Sequence, residues 1–259
     1  MDAAVLIARE QRSQLECYRS SFSRFGTGAR GVVLEEGLFA CVVPATPHRS
    51  ILNSVLYTDP GRVLAHHEHL LALYGDAGCT AWAVWVRPGD DALVEELLAR
   101  GHHLDAEPTL MAAVLDELDL NPRVALELDP DPRWPDLGPI NEAAYDLTAG
   151  TFAGALERVP LDVGLRPLVA RLDGLPVACV SWMATAEGDC AIQSVATLPE
   201  ARGRGLASEL LREALRRARA AGCSTTTLEG TAAGTPVYER LGYRTLGTLR
   251  MLEHRRAAA

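Results

Sequence analysis

A helical stripe in the second half of the chain is its clearest periodic pattern. Between residues 206 and 220, apolar side chains recur three and four positions apart, which is the spacing of one face of an α-helix. The opposite face carries Glu213 with Arg216 and Arg217, an arrangement typical of a solvated helix surface. The pattern predicts an amphipathic helix that buries Leu206, Leu210, Leu211, Ala214, Leu215 and Ala218.

Strand and helix patterns precede this amphipathic helix. Apolar runs predict strands over Leu165–Leu172 and Val177–Ala186, joined by the turn sequence DGLP, and a third strand over Cys190–Thr197. Leu137–Ala149 and Phe152–Arg158 have helical patterns. A hairpin that is followed by strand, helix, strand, helix and strand predicts an α+β fold with a mixed sheet.

The two halves of the chain show the same order of signals. Residues 77–85, AGCTAWAVW, and residues 221–229, AGCSTTTLE, each pass from a helix end into a strand. Both are followed by a short helix, a glycine and a final strand, and the Pro- and Asp-rich stretch 116–139 separates the two series. We therefore expect a tandem repeat of one fold, with domains at residues 1–120 and 121–259.

Composition narrows the class of protein. The 259 residues are 48% hydrophobic, which is enough for a normal core, and no apolar run approaches the roughly 18–20 residues of a membrane span. The first residues lack the basic and apolar regions of a signal peptide. Six dispersed cysteines without a CxxC pair fit free thiols in a reducing compartment, so we expect a cytoplasmic protein.

The charge of the chain argues against nucleic acid or a membrane surface as a partner. The formal net charge is −9. Residues 1–120 carry nine arginines against 17 acidic residues, and residues 121–259 carry 16 against 17, so the second half repels an anionic ligand less. The chain contains no lysine, which excludes a Walker-type phosphate loop and a Schiff-base lysine.

A glycine- and arginine-rich segment, VATLPEARGRGLA at residues 195–207, joins the third predicted strand to the amphipathic helix. A helix N-terminus presents free N–H groups and the positive end of the helix dipole, so it binds anions. Gly203 and Gly205 allow a ligand to approach the backbone, and Arg202 and Arg204 add positive charge. The segment is suited to a pyrophosphate, and a simple glycine-rich helix cap is the alternative.

A dinucleotide-binding loop of the Rossmann type is a further alternative. GRGLAS resembles GxGxxG, and Glu229 ends the next strand, where a ribose-binding acid could lie. Two features count against it. LPEAR separates the first glycine from the strand, and Ser208 stands where the third glycine allows close helix–strand packing.

The same segment resembles a known family. Residues 202–207, RGRGLA, fit the [QR]xxGx[GA] signature of the GCN5-related N-acetyltransferase (GNAT) superfamily, and PVYERLGYR at residues 236–244 is similar to its later motif. The resemblance covers residues 123–259. It implies two mixed, mostly antiparallel sheets flanked by helices, and acetyl-CoA as cosubstrate. The residues implied in acetyl-CoA binding are Val195, Ala196, Thr197, Arg202, Gly203, Arg204, Gly205, Leu206, Ala207 and Ser208.

Tyr238 is the residue that the resemblance implies as general acid. The departing CoA thiolate has a pKa near that of a free thiol, ~8.5, so a phenol with a pKa of ~10 can supply or share its proton. Glu229 is our first candidate for the base that takes the proton of the amine, with Asp189, Glu187 and a water relay as alternatives. Thr231 stands where the family often has asparagine, so the contact at that position is open.

The corresponding positions of the first half lack this chemistry. TDPGRV, residues 58–63, aligns with the phosphate loop but has no counterpart of Arg202, and Leu97 replaces Tyr238. We therefore expect a degenerate first copy that completes the core or walls the acceptor cleft. The histidines of HHEH, residues 66–69, lack the i,i+4 spacing of a helical metal pair, and we predict no metal site.

The sequence thus predicts a tandem GNAT-like enzyme that transfers an acetyl group from acetyl-CoA to the amine of a small molecule. A non-catalytic acyl-CoA-binding module and an NAD-binding enzyme are the alternatives. Because a tandem pair can stand in for a dimer of single copies, we expect a monomer or a homodimer.

Overall fold

The computed structural model describes residues 1–160 and 162–256. Its helices are α1 (Ala3–Ser20), α2 (Pro60–Ala65), α3 (His67–Asp76), α4 (Asp91–Ala99), α5 (Trp134–Ala144), α6 (Ala153–Leu156), α7 (Leu206–Ala220) and α8 (Thr235–Leu241). Its strands are β1 (Arg30–Glu35), β2 (Leu38–Val42), β3 (Ser54–Tyr57), β4 (Ala81–Val86), β5 (His103–Ala106), β6 (Thr109–Val114), β7 (Glu127–Leu128), β8 (Arg166–Leu172), β9 (Leu175–Ala184), β10 (Asp189–Thr197), β11 (Thr225–Gly230), β12 (Arg244–Thr248) and β13 (Arg250–Arg255). None of these helices is both long and apolar enough to cross a lipid bilayer.

Two mixed sheets share one strand order. The N-terminal sheet runs β1-β2-β3-β4-β13-β5, and the C-terminal sheet runs β12-β6-β11-β10-β9-β8-β7. Read from β1 and from β8, the two orders are the same, apart from the additional edge strand β7. The parallel pairs are β3–β4 and β10–β11, and the other pairs between described strands are antiparallel. The predicted α+β class, with two mixed, mostly antiparallel sheets flanked by helices, is confirmed.

The same topology removes the Rossmann alternative. A doubly wound dinucleotide-binding sheet is built from parallel strands on both sides of its glycine-rich turn. Here β10, which precedes the glycine-rich segment, is parallel to β11 but antiparallel to β9. The segment therefore lies in a different kind of sheet.

The two sheets exchange strands. β6, from the first half of the chain, lies between β11 and β12, where Met111 pairs with Leu228 and Thr245. β13, from the second half, lies between β4 and β5, where Leu252 pairs with Val84. The sheets are therefore not divided along the chain at residue 120, because each half supplies an inner strand to the sheet of the other.

Helix α7 packs on the C-terminal sheet as its periodicity predicts. All six predicted stripe residues are buried, and they pack with residues of β8, β9 and β10. On the outer face the carboxylate of Glu213 accepts hydrogen bonds from the guanidinium groups of Arg216 and Arg217. Burial of one face thus fixes the helix so that its N-terminus lies beside the end of β10.

Helix α1 packs between the two halves. It contacts β10 and β11 of the C-terminal sheet and β2 of the N-terminal sheet. Its residues Cys17 and Tyr18 are buried in a core that also contains Leu52 from the first half and Cys179 from the second. This shared core brings side chains of the first half against the strands that precede and follow α7.

Helix α5 ends five residues before the predicted Ala149. Asp146 adopts a left-handed conformation with φ 53°, which interrupts the helix. The carboxylate of Glu142 then accepts hydrogen bonds from the main-chain N–H groups of Gly150, Phe152 and Ala153 at 2.7–2.9 Å. A side chain of the helix therefore holds the loop that follows it. This contact competes with continuation of the helix, and helical periodicity does not reveal it.

Candidate active site

The site begins where β10 and β11 separate. Asp189–Ala191 pair with Thr225–Thr227, and no further pairing between the two strands is present in the described residues. Ser194 has a φ of 54°, and a β-bulge lies between Gln193 and Ala196. Beyond the bulge the main chain of β10 turns one edge to the gap between the strands.

An open groove of about 730 Å³ lies at this gap and along the N-terminus of α7, and we call it the loop groove. Gly203 and Gly205 both have a φ of 77°, and no side chain of the described residues caps the helix at Gly205. A Cβ atom at Gly205 would lie 3.3 Å from Cγ2 of Val124. The groove is lined by Ala144, Tyr145, Val195, Ala196, Thr197, Ala201, Arg202, Gly203, Gly205, Leu206, Ala207, Ser208, Thr231, Ala233, Gly234, Val237, Tyr238 and Arg240.

The two loop arginines are placed differently. The guanidinium of Arg202 donates to the main-chain oxygens of Ala144 and Thr197, at 2.8 and 3.3 Å, so it ties the loop to α5 and β10. Arg204 is exposed and does not line the groove. The remaining predicted cofactor-binding residues all line it.

A second cavity, of about 260 Å³, lies deeper between the two halves, and we call it the inner cavity. Its lining is mainly apolar and comes from both halves. It meets the loop groove at four residues that line both spaces: Tyr145, Val195, Thr231 and Tyr238. The other lining residues are Gln14, Tyr18, Phe22, Arg49, Ile51, Leu52, Trp85, Ala106, Pro108, Asn141, Leu147, Phe152, Ile192, Gln193, Ser194, Leu228, Glu229 and Met251.

Tyr238 stands at the junction of groove and cavity. Its ring packs against the main chain, because a Cβ atom on Gly230 or Gly234 would lie 3.2 or 3.0 Å from its ring carbons. Its hydroxyl makes no hydrogen bond with the described residues. Burial, and then the nearby Tyr145 and Glu229, raise the pKa of Tyr238 above its ordinary value. The phenol therefore carries its proton at neutral pH.

Glu229 lies at the end of β11 and lines the inner cavity. Its carboxyl oxygens accept from the amide groups of Gln14 and Gln193, at 3.3 and 3.2 Å. Burial, and then the charge of the nearby Glu10 carboxylate, raise the pKa of Glu229 well above its ordinary range. Glu10 in turn forms a buried ion pair with Arg87.

The other candidate bases lie elsewhere. The carboxylate of Asp189 is buried and accepts from the hydroxyls of Thr225 and Thr227, at 2.7 and 2.6 Å, and it does not line the cavity. Glu187 forms an exposed ion pair with Arg12 at 3.0 Å. Of the three predicted carboxylates, the fold brings Glu229 alone to Tyr238.

Comparison with known proteins identifies the second half. Residues 127–243 match the Acetyltransferase (GNAT) family. This part of the chain belongs to the GNAT family. No curated protein matches the chain.

Solved structures share the fold over most of the chain. A GCN5-related N-acetyltransferase from Kribbella flavida is 22% identical with a TM-score of 0.65, covering 95% of this chain and 94% of its own. A GCN5-related N-acetyltransferase from Sphaerobacter thermophilus is 16% identical with a TM-score of 0.54, covering 86% and 82%. A tandem GNAT protein from the clavulanic acid biosynthesis pathway is 19% identical with a TM-score of 0.56, covering 90% and 82%. At these identities the similarity concerns the fold.

The first half departs from the GNAT domain at the position of the phosphate loop. Two residues separate β3 from α2, and the carboxylate of Asp59 accepts a hydrogen bond from the N–H of Gly61 at 2.9 Å. A carboxylate of the chain itself thus caps the helix at which an anion would bind. Leu97, the counterpart of Tyr238, is fully buried in the core.

Two histidines of the HHEH segment, His66 and His67, have different partners in different parts of the structure. Nε2 of His66 lies 3.0 Å from a carboxylate oxygen of Glu35 on the surface. Nε2 of His67 lies 3.0 Å from Nε2 of His102 in the core. Among the described residues, one other group could hold a metal ion: His103, Asp105 and Glu253 each have a possible ligand atom, and these atoms lie within 4.8 Å of one another. The carboxylate of Glu253, however, already accepts hydrogen bonds from the guanidinium of Arg255.

Sequence reasoning missed the residues of the first half that complete the site of the GNAT domain. Gln14 and Glu10 come from α1, Arg87 follows β4, and Arg49 lies in the loop between β2 and β3. No local motif marks these residues, since they come from three separate segments of the chain. Their shared feature, polar or charged character on an otherwise buried face, becomes visible only after folding.

Proposed function

We propose that this chain is an N-acetyltransferase that binds acetyl-CoA in the loop groove and acetylates the amine of a small molecule in the inner cavity. One observation carries the proposal. The hydroxyl of Tyr238, free of partners among the described residues, stands where the groove meets a cavity that also contains the carboxyl of Glu229. A proton donor and a proton acceptor thus face one space.

The loop groove has the chemistry that CoA requires. The uncapped N–H groups at the start of α7 suit the pyrophosphate, and the left-handed glycines let it approach the main chain. The edge of β10 at Val195–Thr197 suits the pantetheine arm, whose amides can bind to main-chain groups as another strand would. Oγ1 of Thr197 is buried without a partner among the described residues, which leaves one polar atom for a ligand.

The reaction follows from Tyr238 at the junction and Glu229 in the wall of the inner cavity. The amine nitrogen forms a bond to the thioester carbon, and the carbon–sulfur bond breaks. The carboxylate of Glu229 takes a proton from the amine, and Tyr238 supplies a proton to the departing thiolate. N–H groups of β10 near the bulge stabilise the negative charge that develops on the carbonyl oxygen.

The pKa of Glu229 suits the role of a base. A carboxyl with an ordinary pKa of ~4.3 is a weak base at neutral pH, and a raised pKa brings it closer to the working pH. The causes of the shift, burial and the neighbouring Glu10, are built into the shared core. The first half thus contributes to the proposed reaction by raising the pKa of the base.

Release of the CoA thiol in the presence of acetyl-CoA and a panel of small primary amines tests this proposal. Tyr238→Phe removes the proton donor, and general-acid catalysis contributes about 10²- to 10⁴-fold, so kcat should fall by that factor while acetyl-CoA binds as before. Tyr243→Phe is the matched control, because it removes a hydroxyl that bonds to Thr226 in the core and lines neither space. Equal turnover in the two variants, or binding of acetyl-CoA without turnover of any amine, contradicts the proposal.

A further inference from the structure

Arg49 occupies a rigid position in the wall of the inner cavity. Its main-chain oxygen accepts from the N–H groups of Leu52 and Asn53 and from the side-chain amide of Asn53, each at 3.1 Å. Its own N–H donates to the oxygen of Thr46 at 3.1 Å. Asn53 is fully buried and also accepts from the N–H of Val43 at 2.7 Å. These hydrogen bonds hold the main chain of Arg49 in place before any ligand binds.

The guanidinium of Arg49 has no partner among the described residues. It takes part in no ion pair or side-chain hydrogen bond, and its Nε is buried without an acceptor. The buried guanidinium groups of Arg87 and Arg212 are paired, with the carboxylates of Glu10 and Glu209. Burial lowers the pKa of Arg49, and the charges of Asp105, Glu253 and Glu142, which lie beyond ion-pair distance, oppose that shift only in part. A hydrogen-bonded anion in the cavity would offset the remaining cost of burial.

The rest of the inner cavity has groups that suit an amine and an apolar substituent. Glu229 lies in the wall, and Oδ1 of Asn141 and Oε1 of Gln193 receive no hydrogen bond from the described residues. These oxygens are acceptors, as an amino group requires. The remaining surface is mostly aromatic and aliphatic, and includes Phe22 and Trp85.

We infer that the acceptor is an amino acid with an apolar side chain, whose carboxylate binds the guanidinium of Arg49. The inference rests on the proposed function, and it names the class of the acceptor. The planar guanidinium can bind a carboxylate through two parallel hydrogen bonds. A single cation in a cavity of about 260 Å³ matches one carboxylate better than a dianionic phosphate.

Isothermal titration of the CoA-saturated protein tests the inference without turnover. The ligands are L-phenylalanine and L-leucine, each compared with its decarboxylated amine, phenethylamine or isopentylamine. A charged hydrogen-bonded contact is worth about 10- to 100-fold in affinity, so the wild type should bind at least one amino acid tighter than its amine by that factor. Arg49→Met should remove this preference, and Arg49→Lys should retain part of it. Arg30→Met, which removes an exposed arginine of the same half, should leave the preference unchanged.

Three results would overturn the inference. The wild type could bind the amines as tightly as the amino acids, Arg49→Met could weaken both members of a pair equally, or no apolar amino acid could bind. Acetyl transfer to the decarboxylated amines would then still support the proposed function. Conversely, the expected binding preference without acetyl transfer to any amine would show that Arg49 binds a carboxylate and would contradict the proposed function.

Discussion

At the scale of single residues, the chemistry of Glu229 depends on side chains that are more than 140 positions away in the sequence. Gln14 of α1 donates to its carboxyl, the charge of Glu10 on the same helix acts on it, and Arg87 holds Glu10. The strand position of Glu229 was predictable from the pattern before it. Its neighbours were not, because they belong to the other half and meet it only in the shared core.

We expect Glu10→Gln to move the pH dependence of acetyl transfer. The proposed base, Glu229, must be ionised to accept a proton, so kcat/KM should rise with pH through its pKa. The charge of Glu10 raises the pKa of Glu229, whereas the charge of Arg87 lowers it. Removal of the Glu10 charge should therefore lower the pKa of Glu229 and move the acidic limb of the profile to lower pH. The measurement is a pH profile of kcat/KM.

Glu16→Gln is the control for this profile. It makes the same change on the same helix, at a carboxylate that binds the N–H of Ala186 rather than the cavity. An acidic limb that stays at the same pH in Glu10→Gln would mean that the ionisation of Glu229 does not govern the rate. A thermal melt of Glu10→Gln checks that loss of the buried pair with Arg87 has not unfolded the protein.

At the scale of elements, the start of α7 was predictable because all its determinants are local. The apolar stripe, the two left-handed glycines and the missing cap lie within 20 consecutive residues. The end of α5 was not predictable in the same way. Glu142 binds the loop amides of residues 150–153, and periodicity contains no information about that contact.

We expect Gly205→Glu to abolish stabilisation by acetyl-CoA. A side chain at a φ of 77° strains the loop, and its charge repels a pyrophosphate at the helix N-terminus. A ligand at 100 times its Kd adds about 2.7 kcal/mol to the free energy of unfolding, which thermal unfolding detects. The wild type should show this gain and Gly205→Glu should not.

Gly78→Glu is the matched control. Gly78 has a φ of 72° in a turn after α3, and a Cβ atom added there would have no atom of the described residues within 4 Å. The substitution introduces the same strain and the same charge away from the groove. Retention of the acetyl-CoA effect in Gly205→Glu, or its loss in Gly78→Glu, would contradict the assignment of the loop.

At the scale of the whole molecule, the exchange of β6 and β13 makes the halves interdependent. The repeat of one strand order was predictable from the two AGC segments, but the exchange was not. No local signal in β6 or β13 assigns either strand to a sheet, because the assignment depends on the packing of each strand against its neighbours.

We expect residues 1–120 and 121–259 to fail to fold when they are produced separately. Each fragment lacks the inner strand that its sheet takes from the other, and buried residues such as Leu252 and Met111 would be exposed to water. Co-expression should restore a folded complex. Circular dichroism and gel filtration provide the measurement, and cooperative unfolding of either fragment alone would contradict it.

We also expect the protein to become less stable as the pH is lowered from about 6.5 to about 4, because histidines beside β13 are buried. Nδ1 of His102 lies 3.1 Å from the oxygen of Leu252, and burial lowers the pKa of His102 to about 4. Below the ordinary value of ~6.5 the unfolded chain gains a proton that the folded chain does not, so the free energy of unfolding decreases, by up to about 3 kcal/mol from His102.

Urea unfolding at a series of pH values measures this effect. His102→Gln should be less stable than the wild type at pH 7 and should lose less stability on acidification. His48→Gln, at an exposed histidine, should follow the wild type. A pH dependence in His102→Gln equal to that of the wild type would show that acidification acts elsewhere.

The sequence by itself determined what depends on neighbouring positions: the stripe of α7, the glycine loop before it, the helix that contains Tyr238 and the order of elements in each half. Spacing along the chain specifies these features, because helices, turns and caps are built from contacts a few residues apart. The tertiary structure alone decided the exchange of strands, the inner cavity and the placement of Arg49 and Glu10. These features join residues that lie far apart in the sequence, and burial in one shared core brings them together.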